Sequence, residues 1–190
     1  MKKIYLIIIV GLMFSCSNSY EQEEIKVITE FTNSYLKNEH LQKLENYELI
    51  CSENKKLDSF NLKIYISDYL LPISKIREDE KGMFDDNYSG KDSIIFRNIL
   101  NSKKFKELTY REFDKNQIKL IEPYKQISKY KPLDDYIRIS FSRVCFDKKR
   151  ENAIVLIEYN FHCDKFRVSG FERPYLLKNK NNKWNYIPTK

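Results

Sequence analysis

The spacing of apolar residues changes character along this chain, and each change marks an element. After an unbroken apolar run from Ile4 to Phe14, the pattern becomes helical. Ile25, Ile28, Phe31, Tyr35 and Leu36 recur every three to four residues, which predicts a helix from Glu21 to about Lys37 with one buried stripe. Ser19 with Gln22 three positions on forms a capping box, and Glu21, Glu23 and Glu24 fill the first turn, where carboxylates complement the positive end of the helix dipole. Leu41 and Leu44 suggest a second short helix from His40 to Tyr47. Leu62, Ile64 and Ile66 alternate with polar residues, so a strand is expected before the Leu71-Pro72 break. Residues 77–93 hold Gly82 and Gly90 and almost no apolar residue, the composition of a loop. Ile94, Ile95, Ile99 and Leu100 fit a short helix and Phe113 to Ile121 another, while Pro123 and Pro132 interrupt anything longer.

From Tyr136 the alternation is clearer. Ile137, Ile139 and Phe141 interleave with Arg138, Ser140 and Ser142, and the phase then shifts to Val144 and Phe146, as a bulge near Ser142-Arg143 produces. A turn through Asp147 to Asn152 leads into Ala153 to Phe161, apolar on both faces at first, which suits a central strand. Tyr175 to Lys178, an Asn/Lys turn over 179–182, and Trp184, Tyr186 and Ile187 make a final hairpin. The expected fold is α+β: an N-terminal helix packed on an antiparallel sheet drawn mainly from residues 136–187 and ending as a C-terminal β-meander. Phe141, Ile157 and Trp184 are expected in its core.

The first sixteen residues carry an address. Lys2 and Lys3 precede eleven apolar residues, too few for the roughly 20 that span a hydrocarbon core, and small Ser15 stands before Cys16. This segment resembles a lipoprotein signal peptide with a relaxed lipobox, Met13 and Phe14 being bulkier than the strict pattern. The resemblance implies that residues 1–15 are removed and that Cys16 is lipidated, which would make the membrane a partner through an N-terminal lipid anchor. Plain secretion with cleavage nearby, or retention as a short anchor, are the alternatives. Residues 16–190 are then one lipid-anchored domain held close to the bilayer of the cell envelope, at the outer membrane if the cell has one, on its periplasmic or its outer side.

The C-terminal stretch resembles a group of exported bacterial proteins through Phe141-Ser-Arg-Val144, the charged turn 147–152, Ala153 to Tyr159 with Cys163, and Tyr175 to Trp184. That resemblance implies export and brings no activity with it. Helices first and a curved meander last, with a Trp in the final strand, also looks like the NTF2-like architecture, an analogy of fold alone.

Charge divides unevenly. Residues 16–90 carry 9 Lys and Arg against 15 Asp and Glu, whereas residues 91–190 carry 23 against 12. A basic face for anionic lipid, glycan or nucleic acid is one reading; the other is that the two parts pack together and neutralise each other. Abundant Lys, Asn, Ile, Tyr and Phe follow from an AT-rich genome, so lysine count by itself says little, and no nucleic-acid partner is expected. With Cys16 lipidated, Cys51, Cys145 and Cys163 remain. If Phe146 lies opposite Ala153, Cys145 faces Ile154, and Cys163 stands nine residues further on. At roughly 3.3 Å per residue that is about 30 Å, against the roughly 7 Å a disulfide allows between Cα atoms. The hairpin leaves pairings with Cys51, or three reduced and buried thiols.

Candidate chemistry is sparse. Asp85, Asn87 and Ser89 with Gly90 match the first half of a calcium loop, but Asp92 and Phe96 stand where an apolar residue and a bidentate carboxylate belong. Asp86 or Asp92 would have to substitute, and an ordinary polar loop is the alternative. Neither His40 nor His162 sits in a spaced ligand set, and His162 and Cys163, adjacent on a strand, point to opposite faces. Asp134-Asp135 reads as a solvated pair, and no hydrolase elbow, phosphate loop or zinc-protease signature occurs. No metal or cofactor is expected. Tyr136, Tyr159, Tyr175, Tyr186 and Trp184 would line a groove for glycan or peptide, or form core. Arg138 and Arg143 are the choice for a polar pocket, as bidentate anion binders, or else lie on a solvated strand face. These observations favour a non-catalytic envelope protein that binds a protein or glycan partner. A small envelope hydrolase or a toxin-neutralising immunity protein are the alternatives.

Overall fold

The computed structural model describes residues 20–37, 63–75, 87–121, 124–129, 136–163, 166–167 and 170–188. The Ser19 cap, Cys16, the 40–47 segment, Cys51, Asp85 and Asp86, Asp134-Asp135 and the 77–86 part of the expected loop lie outside them.

Helix α1 spans residues 20–37 and buries Val27, Ile28, Phe31, Tyr35 and Leu36, the stripe that three-to-four spacing requires. Strand β1 (Lys63–Leu71) follows, then α2 (Gly90–Leu100), α3 (Lys103–Glu107), β2 (Arg111–Glu112) and β3 (Lys125–Gln126). The rest is strand: β4 (Tyr136–Ser142), β5 (Cys145–Phe146), β6 (Asn152–Cys163), β7 (Phe166–Arg167), β8 (Phe171–Lys180) and β9 (Lys183–Tyr186). The sheet runs β2-β1-β4-β6-β8-β9, with β3 also on β1, and β5 and β7 also on β6. From β4 onward the main path is antiparallel, Tyr136 opposite His162, Val155 opposite Tyr175 and Asn179 opposite Trp184.

The structure has the expected α+β architecture and departs from the all-antiparallel sheet in one respect. Strand β1 lies parallel to β4, Ile64 opposite Ile137, so the sheet is mixed. The chain between them is a long crossover that carries α2 and α3, and only a tight turn would have forced antiparallel pairing. The sheet is also covered on both faces. Val155, Ile157 and Tyr159 of β6 join Phe31 and Tyr35 of α1 in one core. Ile154 and Leu156 face the other way, with Phe96, Ile99 and Phe105 of α2 and α3. This two-sided burial is why β6 reads as apolar without alternation.

The loop expected over 77–93 ends early, because α2 starts at Gly90. Its first turn is polar and carries no apolar signal; its buried residues begin only at Phe96, followed by Ile99 and Leu100. Over Phe113 to Ile121 the only helical turn is a 3-10 turn, Lys115–Gln117, capped by the Asp114 carboxylate on the Asn116 N–H. Phe113 and Ile118 are buried from the two sides of that turn, and the Phe113 N–H pairs with the Asp68 carbonyl instead of a helical partner.

The bulge falls where the phase shift puts it. Phe141 faces Ile157 and Cys145 faces Ile154, so three residues, Ser142 to Val144, oppose two. Its orphaned backbone groups are paired elsewhere: the Leu156 N–H donates to Ser142 Oγ (2.8 Å), the Arg143 N–H to the Leu71 carbonyl (2.7 Å) and the Val144 N–H to Glu24 Oε1 (2.7 Å). The closing hairpin turns on Asn181 and Asn182, with φ of 53° and 64°, the left-handed pair of a two-residue turn that asparagine tolerates. Phe141, Ile157 and Trp184 are all buried. Trp184 is clamped to α1 twice, its indole N–H donating to Glu23 (2.7 Å) and its backbone N–H to Glu30 (2.6 Å).

Candidate functional site

Arg143 and Arg138 do not meet in one pocket. The Arg143 Nε donates to both oxygens of Glu24, at 2.9 and 3.1 Å, and its Nη1 donates to the Thr109 carbonyl (3.2 Å). Arg138 donates from Nη2 to the Tyr69 hydroxyl (2.7 Å) and from Nε to Ser67 Oγ (3.4 Å). Both guanidiniums are thus engaged by the protein. Asn87 and Ser89 stand just before α2, with Ser89 at its cap position, and Asp92 forms an ion pair with Lys178. Asp92 is therefore already committed as a partner. Among the described residues no three His, Cys, Asp or Glu side chains gather as a metal set. His162 lies flat on Tyr136, their ring centroids 4.3 Å apart.

Glu24 is the centre of a buried polar knot. It is fully buried, takes the Arg143 Nε and the Val144 N–H, and has Arg111 Nη2 at 3.0 Å from Oε2. That last contact is off the hydrogen-bond line, leaving Arg111 Nη2 without a hydrogen-bond partner, so its attraction is Coulombic. Arg111 Nη1 reaches Glu21 at 2.8 Å. Burial pushes the Glu24 carboxyl above its ordinary value, with Arg143, the Val144 N–H and Arg111 opposing. Like the Lys115–Asp68 bridge (2.8 Å), these pairs join the acidic first part of the chain to the basic second, which is what mutual neutralisation requires. The knot is a structural clamp between α1 and the bulge.

The cavity with ligand-binding character lies elsewhere. About 640 Å³ in volume, it opens between the start of α1, helices α2 and α3, and the β5–β6 turn, within the size range of small-ligand sites. Its apolar wall is Tyr20, Ile95, Ile99 and Phe146; Lys103, Lys104, Lys148 and Arg150 supply the cations. Tyr20 is fixed by its hydroxyl, which donates to the Val144 carbonyl at 2.5 Å, and by an edge-on contact with Phe146, centroids 5.2 Å apart. Burial, then the neighbouring Glu24 and Cys145, hold that hydroxyl well above the usual tyrosine range, so it stays protonated. Lys104 Nζ stands 5.1 Å over the Tyr20 ring, and the Arg150 guanidinium lies 5.8 Å from Tyr20 and 5.9 Å from Phe146, cation–π distances.

Arg150 owes its position to a left-handed backbone, φ 55°, at the tip of a turn held by Asp147. That carboxylate accepts from the Glu151 N–H (3.0 Å) and from Asn152 Nδ2 (2.6 Å). Asp147 is therefore spent on the turn. Behind Ser102 lies Cys145, its Sγ 3.8 Å from the Ser102 hydroxyl, and burial pushes its thiol up to about 11. It is a free, buried cysteine and a poor nucleophile at neutral pH. Its partner across the strands is Ile154, so the distance argument against a Cys145–Cys163 bridge holds.

Of the aromatic residues set against a groove, Tyr159, Tyr175 and Trp184 are fully buried and Tyr136 nearly so. They are core. The pocket residues Tyr20, Lys104, Phe146 and Arg150 were not singled out by sequence, because they come from four separate elements with no shared spacing. No protein-family model, curated protein or solved structure matches this chain.

Proposed function

We propose that this protein is anchored in the cell envelope by acyl chains on Cys16 and binds an anionic ligand in the Tyr20–Phe146 pocket rather than transforming it. One observation carries the reading: two cations, Lys104 and Arg150, stand over aromatic rings at the mouth of an apolar cavity, an arrangement that attracts and orients a negative group. Of the lining groups, the Asp147 carboxylate is spent on its turn and the Tyr20 hydroxyl on the Val144 carbonyl, so the two do not form an acid–base pair. Two acyl chains, at about 0.8 kcal/mol per buried CH₂, suffice for stable anchoring where one does not. An NTF2-like assignment rests on the order of elements alone, helix first and meander last.

Labelled palmitate should enter the wild type and not Cys16→Ala; equal incorporation in both would end the lipoprotein reading. The acylated protein, drawn from its own envelope, should bring a ligand or partner with it, and a bound toxin would move it to the immunity class. Turnover of envelope esters, glycans or peptides by the purified protein would overturn the binding reading in favour of a hydrolase.

A further inference from the structure

We infer that the mouth of this pocket is the face on which the protein rests on its bilayer, and that the anion it takes is the phosphate of an acidic phospholipid headgroup. This rests on the anchoring proposed above and goes on to name the ligand. Tyr20 is the first residue of α1 and part of the cavity wall. Cys16 precedes it by four residues, which at roughly 3.3–3.6 Å each reach about 14 Å at most. Acyl chains on Cys16 therefore hold the bilayer surface within that distance of the cavity.

The charge on this side fits that surface. Lys103 and Lys104 of α3 and Lys148, Lys149 and Arg150 of the β5–β6 turn are all exposed. Of the four lysines, Lys103 alone is ion-paired to a carboxylate among the described residues, Glu107 at 3.3 Å. Clustered cations near an anionic leaflet add their attractions and order the headgroups beneath them.

An apolar residue distinguishes a bilayer from a dissolved anion. Ile94 is 61% exposed, the most exposed large hydrophobic side chain among the described residues. It stands one helical turn before Asn98, which lines the cavity, and next to Ile95, which does too. A small aqueous anion has no use for it. An isoleucine beside a ring of cations is what an interfacial face presents, apolar tip toward the acyl boundary and cations at the phosphates.

The test uses the acylated full-length product, its Cys16 modification verified by intact mass, in nanodiscs of phosphatidylcholine with or without phosphatidylglycerol. Amine acetylation of individual lysines is read by mass spectrometry. Lys104 and Lys148 should react several-fold more slowly in the acidic discs. Lys125, on β3 beside Lys63 at the end of β1 remote from the bulge, should not change. Salt at 1 M, which shortens the screening length from about 10 Å to about 3 Å, should restore their reactivity. Ile94→Asp and Lys148→Glu, both at exposed positions, should each weaken the protection of Lys104 without altering thermal stability. Equal reactivity in the two discs would overturn the inference, and so would equal protection of detergent-held protein by inorganic phosphate, which would make this a site for a free anion. If the intact mass shows no acyl chain, the anchoring proposal fails by itself. The same footprint on phosphatidylglycerol vesicles then decides the face: protection of Lys104 and Lys148 keeps it, and none removes it.

Discussion

Replacing Glu24 by alanine should be among the most damaging single changes in this fold. The substitution leaves the Arg143 guanidinium, 12% exposed, and that of Arg111, 19% exposed, without the carboxylate between them, and it leaves the buried Val144 N–H unpaired. Removing one partner of a buried ion pair costs about 3–5 kcal/mol, and a buried donor left unsatisfied about 1–3 kcal/mol. The two penalties overlap, and some water reaches both arginines, so a total of about 3–4 kcal/mol is expected. Domains are stable by about 5–15 kcal/mol, so this is a large share. It corresponds to a fall in Tm of roughly 10 °C at this chain length. Glu24→Gln separates charge from geometry. A neutral amide still accepts the Val144 N–H, so Glu24→Gln should recover about the 1–3 kcal/mol of that donor and keep the cost of the two guanidiniums left without a carboxylate. Urea unfolding followed by the fluorescence of Trp184, the one tryptophan in the chain and fully buried, measures both variants. A cost under about 1 kcal/mol for Glu24→Ala at unchanged denaturant slope would refute the clamp. Equal damage from Gln and Ala would refute the division between charge and geometry.

Trp184→Ala should cost about 3–5 kcal/mol by loss of packing, and Trp184→Phe about 2 kcal/mol because the indole bond to Glu23 goes; calorimetry reads both. Gly170→Ala should destabilise by about 1–3 kcal/mol or more, since a Cβ there would stand 1.9 Å from the Tyr159 carbonyl oxygen and backbone must move; unchanged Tm would contradict the close approach. The hydrogen bond from Lys115 holds the Asp68 carboxyl below its ordinary 3.8. A depressed folded-state value contributes stability above the unfolded value and loses it as pH falls through the folded one. Wild type should therefore exceed Asp68→Asn in stability near neutral pH, and the two unfolding curves should converge as pH drops below about 3.8; a gap that persists in acid would remove Lys115 as the cause.

The local periodicities carried much of the fold. The stripe of α1, the two-sided apolar run of β6, the bulge at Ser142-Arg143 and the register that sets Cys145 against Ile154 were all legible, because each is a pattern within a few residues. Polar segments misled. The first turn of α2 looked like loop since its buried face starts only at Phe96, and Phe113 to Ile121 looked helical although Phe113 and Ile118 bury from either side of a single turn. Arg143 looked like a ligand-binding arginine; Glu24, read as a dipole-complementing residue of the first turn, turned out to be its partner 119 residues away.

What the sequence determined by itself is whatever depends on neighbours along the chain: the buried stripe of α1, the alternation of β4, the position of the bulge and the turn at Asn181-Asn182. What only the tertiary structure decided is which distant groups meet. The parallel seating of β1 on β4, the second helical cover over β6 and the cavity where Tyr20, Lys104, Phe146 and Arg150 converge all come from that packing. The physical reason is that periodicity encodes which face of an element is buried, whereas the identity of what lies against that face is settled by the simultaneous burial of all the others.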